Sequence, residues 1–156
     1  MLTIVGCGNC NRRDDGVGVY VAQKLQVFLK NRPNPGVRIF DAGTAGMDVM
    51  FQARGSSAII LVDANRSGSK PGSIFEVPGK ELENRPEPSY NLHDFRWDHA
   101  LYAGKRIFKE DFPSEITVYL IEVADLGFGL ELSPEVQAAA TRVCETIQQK
   151  IVQFHG

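Results

Sequence analysis

Leu2-Thr3-Ile4-Val5-Gly6-Cys7-Gly8-Asn9-Cys10-Asn11-Arg12-Arg13-Asp14-Asp15-Gly16-Val17-Gly18 is the stretch on which the fold turns. Leu2 to Val5 reads as a short buried strand. Beyond the glycines, Val17, Tyr20, Val21, Leu25, Phe28 and Leu29 recur at spacings of three and four, which draws one apolar face of a helix from about Asp15 to Lys30. Strand, glycine-rich turn and helix in succession open a βαβ unit. In sheets built that way, ligands bind in the crevice beyond the strand carboxyl ends. Asp14 and Asp15 stand at the helix mouth, where acids either complement the helix or hold something cationic.

The pattern repeats outward. Asn31-Arg32-Pro33-Asn34-Pro35-Gly36 stops the helix, since proline cannot continue it. Val37 to Phe40 alternates as a second strand and runs into a second glycine turn, Asp41-Ala42-Gly43-Thr44-Ala45-Gly46, followed by a short helix from Met47 to Arg54. Ala58 to Val62 is continuously apolar, as a central parallel strand covered on both faces should be, and it ends on Asp63. Ser73 to Val77 reads as a fourth strand and Ile116 to Val123 as a fifth. Between them lie Pro78 to Leu92, expected as an ordered loop over a site, and a helix from His93 to Phe108. Ser133-Pro134-Glu135 starts the last helix with a capping serine, a first-turn proline and an acid, and that helix runs to about Phe154.

This order predicts a three-layer α/β/α sandwich around a twisted, mostly parallel five-stranded sheet, with the fourth strand antiparallel because no helix separates it from the third. Right-handed crossovers bring the carboxyl ends of the first three strands to one edge. Asp14 and Asp15, Asp41 and Asp63 then meet on a common rim, and His93 opens the helix after the long loop.

The 156 residues suit one domain spanning 1–156, large enough to bury roughly 70% of its unfolded surface without disulfides. A net charge of −2 with no basic block argues against a nucleic-acid partner, and the apolar runs are too short for membrane insertion. The odd count of three cysteines is no disulfide framework and suits a reducing cytoplasm.

The individual motifs also have bland readings. A dinucleotide fingerprint needs glycine where Asn11 stands, and paired acids repel a pyrophosphate. Cys7-Gly-Asn-Cys10 has redox spacing but no second pair to complete a zinc site, and Cys7 fits as an inward-packed apolar side chain. Asp15 could complement its helix, and Asp41 could organise its turn. His93 and His99 stand about 240° apart around a helix and cannot share a ligand. Two carboxylates with one imidazole suit a divalent transition metal with open positions, and the residues alone say no more.

In order along the chain, Gly6-x-Gly8-Asn9 with Asp14-Asp15-Gly16-x-Gly18, then Asp41-x-Gly43-Thr44-x-Gly46, Leu61-Val62-Asp63-Ala64, His93, and Gly127-x-Gly129-Leu130-x-Leu132-Ser133-Pro134 resemble the NiFe-hydrogenase maturation proteases. These endopeptidases trim the C-terminus of the hydrogenase large subunit, and the nearest likeness is to the uptake-hydrogenase branch. The resemblance covers almost the whole chain. It implies a metal-binding trio of Asp15, Asp63 and His93, and a role for Asp41, Gly43 and Thr44 in substrate recognition or cleavage. Asp15 or Asp41 would act as base. The metal implied is Ni²⁺ carried by the precursor large subunit and not tightly held by the free enzyme. The first acid is often glutamate in the family, and the position of Asn11 is usually apolar. A non-catalytic nickel-binding assembly factor using the same trio is the alternative, and a cofactor-binding α/β protein using the glycine turns is a third.

Overall fold

Strand β1 (Leu2–Cys7) is buried along its whole length, because it lies between β2 (Val37–Gly43) and β3 (Ala58–Asn65), both parallel to it. The computed structural model describes residues 1–8, 13–43, 46–79, 97–124 and 131–155. Strand β5 (Glu115–Glu122) adds to β3 in parallel, and β4 (Ile74–Pro78) closes the edge antiparallel to β5, giving the order β2-β1-β3-β5-β4. The reversed strand is the one that follows β3 without a helix, as expected. Its last residue is Pro78, tolerable on an edge strand where one backbone face needs no partner.

Helices α1 (Val17–Asn31) and α4 (Pro134–Gln153) cover one face of the sheet, with Val17, Val21, Val143 and Ile147 packed among Ile4, Val62 and Ile121. Helices α2 (Gly46–Ala53) and α3 (Trp97–Phe108) cover the other, where Val49 and Leu101 meet Val5, Leu61 and Val118. The architecture is the three-layer α/β/α sandwich. Alternate residues of β1 and β3 feed opposite cores, so these strands are apolar on both faces. Each fully buried aliphatic side chain contributes about 1.5–3 kcal/mol.

The strands run further than hydropathy indicates. Asp41-Ala42-Gly43 continues β2 where a turn was expected, and β3 passes through Asp63 to Asn65. A neighbouring strand supplies ladder partners that local sequence cannot reveal. The pairing also slips at the rim: Gly6 opposes Asp41 but Cys7 opposes Gly43, so Ala42 is the extra residue of a bulge. The helix expected from Asp15 begins as a 3₁₀ turn, Arg13–Gly16, with α1 starting at Val17. Pro78 belongs to β4, while 80–92 of the expected loop, His93 and Thr44 lie outside the described residues.

Candidate active site

Because β1, β2, β3 and β5 are mutually parallel, their carboxyl ends share one edge of the sheet. Gly8, just past β1, has φ +131°, and a Cβ there would stand 2.0 Å from the Asp15 carbonyl oxygen and 3.8 Å from Asp63 Oδ1. The Asp15 backbone and the Asp63 carboxylate thus both border a glycine with no room for a side chain. Both are half-buried, and Asp63 Oδ1 accepts the Ala64 N–H at 2.8 Å. The height of Asp15 above the rim is set from behind by Gly18. A Cβ on Gly18 would meet the carbonyl oxygens of Cys7 and Val62 at 2.3 Å each, so α1 begins in backbone contact with β1 and β3.

The adjacent acids divide their roles. Asp14 is wholly buried. Its Oδ1 accepts the Ser133 N–H at 2.8 Å and its Oδ2 the Ala124 N–H at 2.8 Å, while the Ser133 hydroxyl donates to both oxygens at 3.0 and 2.8 Å. One carboxylate therefore ties the 3₁₀ turn to the end of β5 and the start of α4. Hydrogen bonds to a charged group contribute about 1.5–3 kcal/mol each, so this latch is among the stronger polar contacts of the fold. Ser133 stands at the N-cap position of α4 with proline following, as the sequence indicated, but its hydroxyl makes no capping bond. A buried carboxylate is the stronger acceptor and draws the hydroxyl away from the helix. Arg13 reverses the chain at φ +43°, a left-handed conformation uncommon without glycine, and sends Asp14 inward.

Asp41 stands apart from the pair formed by Asp15 and Asp63. It opposes Gly6, which opposes Val62, so it lies two strands from β3, about 10 Å away. Strand alternation puts Asp41 on the face of Val37 and Ile39, toward α1 and α4. Asp63 shares the face of Ile59 and Leu61, toward α2 and α3. Asp41 is exposed, and Gly43, paired with Cys7, carries β2 to the rim.

Glu122 is a rim acid that sequence reading passed over. It ends β5 and is 2% exposed. It accepts the Ser67 hydroxyl at 2.6 Å, the Ser67 N–H at 3.1 and 3.0 Å and the Asn65 side-chain amide at 3.0 Å. Burial alone would raise its pKa, but the donors of Ser67, Asn65 and Gly68 outweigh it and hold the carboxyl below its ordinary value. Glu122 thereby fixes the loop that leaves β3 beyond Asp63. The signal was an acid closing an apolar run, the same signal that marked Asp63.

Cys7 is buried as expected. Among the described residues no group of three or more His, Cys, Asp or Glu gathers to hold a metal ion, and no helix is long and apolar enough to cross a membrane.

A family profile described as hydrogenase maturation protease matches residues 19–150. The coenzyme F420 hydrogenase subunit delta of Methanothermobacter thermautotrophicus is 28% identical over 96% of this chain and 94% of its own. The hydrogenase 2 maturation protease of Escherichia coli is 24% identical over 94% and 87%. Among solved structures, the hydrogenase maturating endopeptidase HybD from E. coli superposes with a TM-score of 0.80 over 97% of this chain and 92% of its own, at 22% identity, a likeness of fold.

Proposed function

The chain belongs to the hydrogenase maturation protease family, a family of endopeptidases, and from that premise we propose that it removes the C-terminal extension from the nickel-loaded precursor of a NiFe-hydrogenase large subunit. The observation that carries this reading is the meeting at Gly8 of the Asp15 backbone and the Asp63 carboxylate, which brings two acid-bearing segments from different elements to one place on the rim. With His93 as third ligand they form an oxygen-rich, exchangeable set with positions left open for the precursor's own ligands. Such a set suits recognition of a metal that arrives with the substrate better than retention of a resident one.

In this reading the metal and the peptide have separate contacts. Asp15, Asp63 and His93 engage the nickel and so select precursors that already carry it. Asp41, exposed and two strands away, meets the peptide together with Gly43 and Thr44, which follow it in sequence. An extended substrate lying along the rim passes from one group to the other. A carboxylate, Asp41 or Asp15, takes the proton from the attacking water, which would make the enzyme an aspartate-dependent protease. The enzyme works where hydrogenase is assembled, in the cytoplasm, without nucleic acid and without membrane insertion.

The test is mass spectrometry of a large-subunit precursor incubated with the protein, with and without nickel. Loss of a C-terminal peptide only from the nickel-loaded precursor is expected, and Asp15→Ala or His93→Ala should abolish it. Full processing by those variants refutes the assignment. A stable complex without cleavage would instead identify a nickel-binding assembly factor.

A further inference from the structure

We infer that Asp14 is a positioning residue: by binding the end of β5 and the start of α4 it fixes where its neighbour Asp15 stands on the rim. The inference rests on the reading of Asp15 as a nickel contact. Asp14 itself is wholly buried, so it meets neither metal nor peptide. Its partners, Ala124 and Ser133, come from the far end of the chain and flank the β5–α4 connection. In a 3₁₀ turn successive side chains diverge by about 120°. With Asp14 drawn inward, Asp15 stays half-buried at the rim, and its backbone carbonyl packs on Gly8, which also borders the Asp63 carboxylate.

The chemistry requires aspartate. Two oxygens accept two backbone N–H groups and a hydroxyl that reaches both. Asparagine has the same size but one acceptor oxygen, so its amide would face either the Ala124 or the Ser133 N–H. Glutamate adds a methylene to a side chain that is already wholly buried. Ser133 offers an independent handle, since its hydroxyl makes no helix-capping bond and its removal weakens the latch without uncapping α4.

The experiment titrates NiCl₂ into the full-length protein by calorimetry, for wild type, Asp14→Asn and Ser133→Ala, well below each melting temperature. Amide NMR spectra of the metal-free proteins are recorded alongside. The expected result is nickel binding weakened at least tenfold by Asp14→Asn and about threefold by Ser133→Ala, with the amide signals of Gly8, Asp15 and Gly16 displaced. Unchanged nickel affinity in a variant that melts earlier overturns the inference and leaves Asp14 a structural latch. If Asp14→Asn does not fold, Ser133→Ala decides by the same readings. Should wild type itself bind too little nickel to titrate, as a metal that arrives with the substrate allows, the precursor-cleavage assay tests the functional reading and the metal-free spectra decide the inference. Displacement reaching Gly8 and Asp15 supports positioning, whereas displacement confined to Ala124 and Ser133 overturns it.

Discussion

Replacing Gly18 by alanine tests how tightly α1 is pressed against the strand ends. The added Cβ would stand 2.3 Å from two carbonyl oxygens, Cys7 O and Val62 O, and 2.9 Å from the Cys7 nitrogen. Tolerable contacts begin near 3.0 Å, and every atom met is backbone, so no side-chain rotation gives relief. The helix must lift from two strands at once. Overpacking of this kind costs about 1–3 kcal/mol, and here the upper end applies. Alanine's better helix propensity returns at most about 1 kcal/mol, less in a first turn. A net loss of about 2 kcal/mol should lower the melting temperature by roughly 4–8 °C in a chain of this size, read by circular dichroism with a parallel urea titration. Gly55→Ala is the control. Gly55 has φ +81° and nothing within 4 Å of a Cβ, so only conformational strain of about 1–2 kcal/mol is felt. Nickel binding should weaken in Gly18→Ala and not in Gly55→Ala. A Gly18→Ala protein melting at or above wild type would refute the close-packing argument.

Gly8→Ala forces a side chain against the Asp15 carbonyl at φ +131°, and should weaken NiCl₂ binding in calorimetry more than it lowers stability; an unchanged affinity would separate Gly8 from the site. Glu122 has a folded-state pKa below its ordinary value of 4.5, so it contributes stability that is full above that value and lost as pH falls through the depressed one. Glu122→Gln should therefore cost about 2 kcal/mol at pH 7 in urea unfolding, a gap to wild type that closes as the pH drops below about 4.5; a gap constant with pH would be inconsistent with the charge-assisted latch. Burial pushes the Cys144 thiol up to about 11, with Glu145 adding to the effect and Lys24 opposing it. Cys144 should resist iodoacetamide at pH 8 in the native protein and react in urea, as followed by peptide mass mapping; rapid native alkylation would contradict its burial.

The layered fold was legible because its strands and helices announce themselves locally. Ala58 to Val62 is apolar on both pleats only because both faces are covered, and the missing helix before Ile74 foretold the reversed strand. The amphipathic face of α1 was likewise written in Val17, Val21 and Leu25. Less legible were the strand ends. Asp41 to Gly43 carries turn residues yet extends β2, because the ladder to β1 satisfies their backbone.

At the site, residue types and spacing were enough to nominate Asp15, Asp41 and Asp63 for one rim, and parallel strands do bring them to a common edge. Which of those acid-bearing segments lie together was decided in three dimensions. Asp63 meets the Asp15 segment over Gly8, while Asp41 stands two strands away on the other pleat. Likewise Asp14 and Asp15 are the same amino acid side by side, equally fit in sequence to cap a helix or bind a cation. Only the arrival of Ser133 and Ala124, more than a hundred residues later, makes one a buried latch and leaves the other at the rim. Local sequence carries periodicity and propensity, whereas the choice between identical side chains depends on donors that distant segments supply when the chain packs.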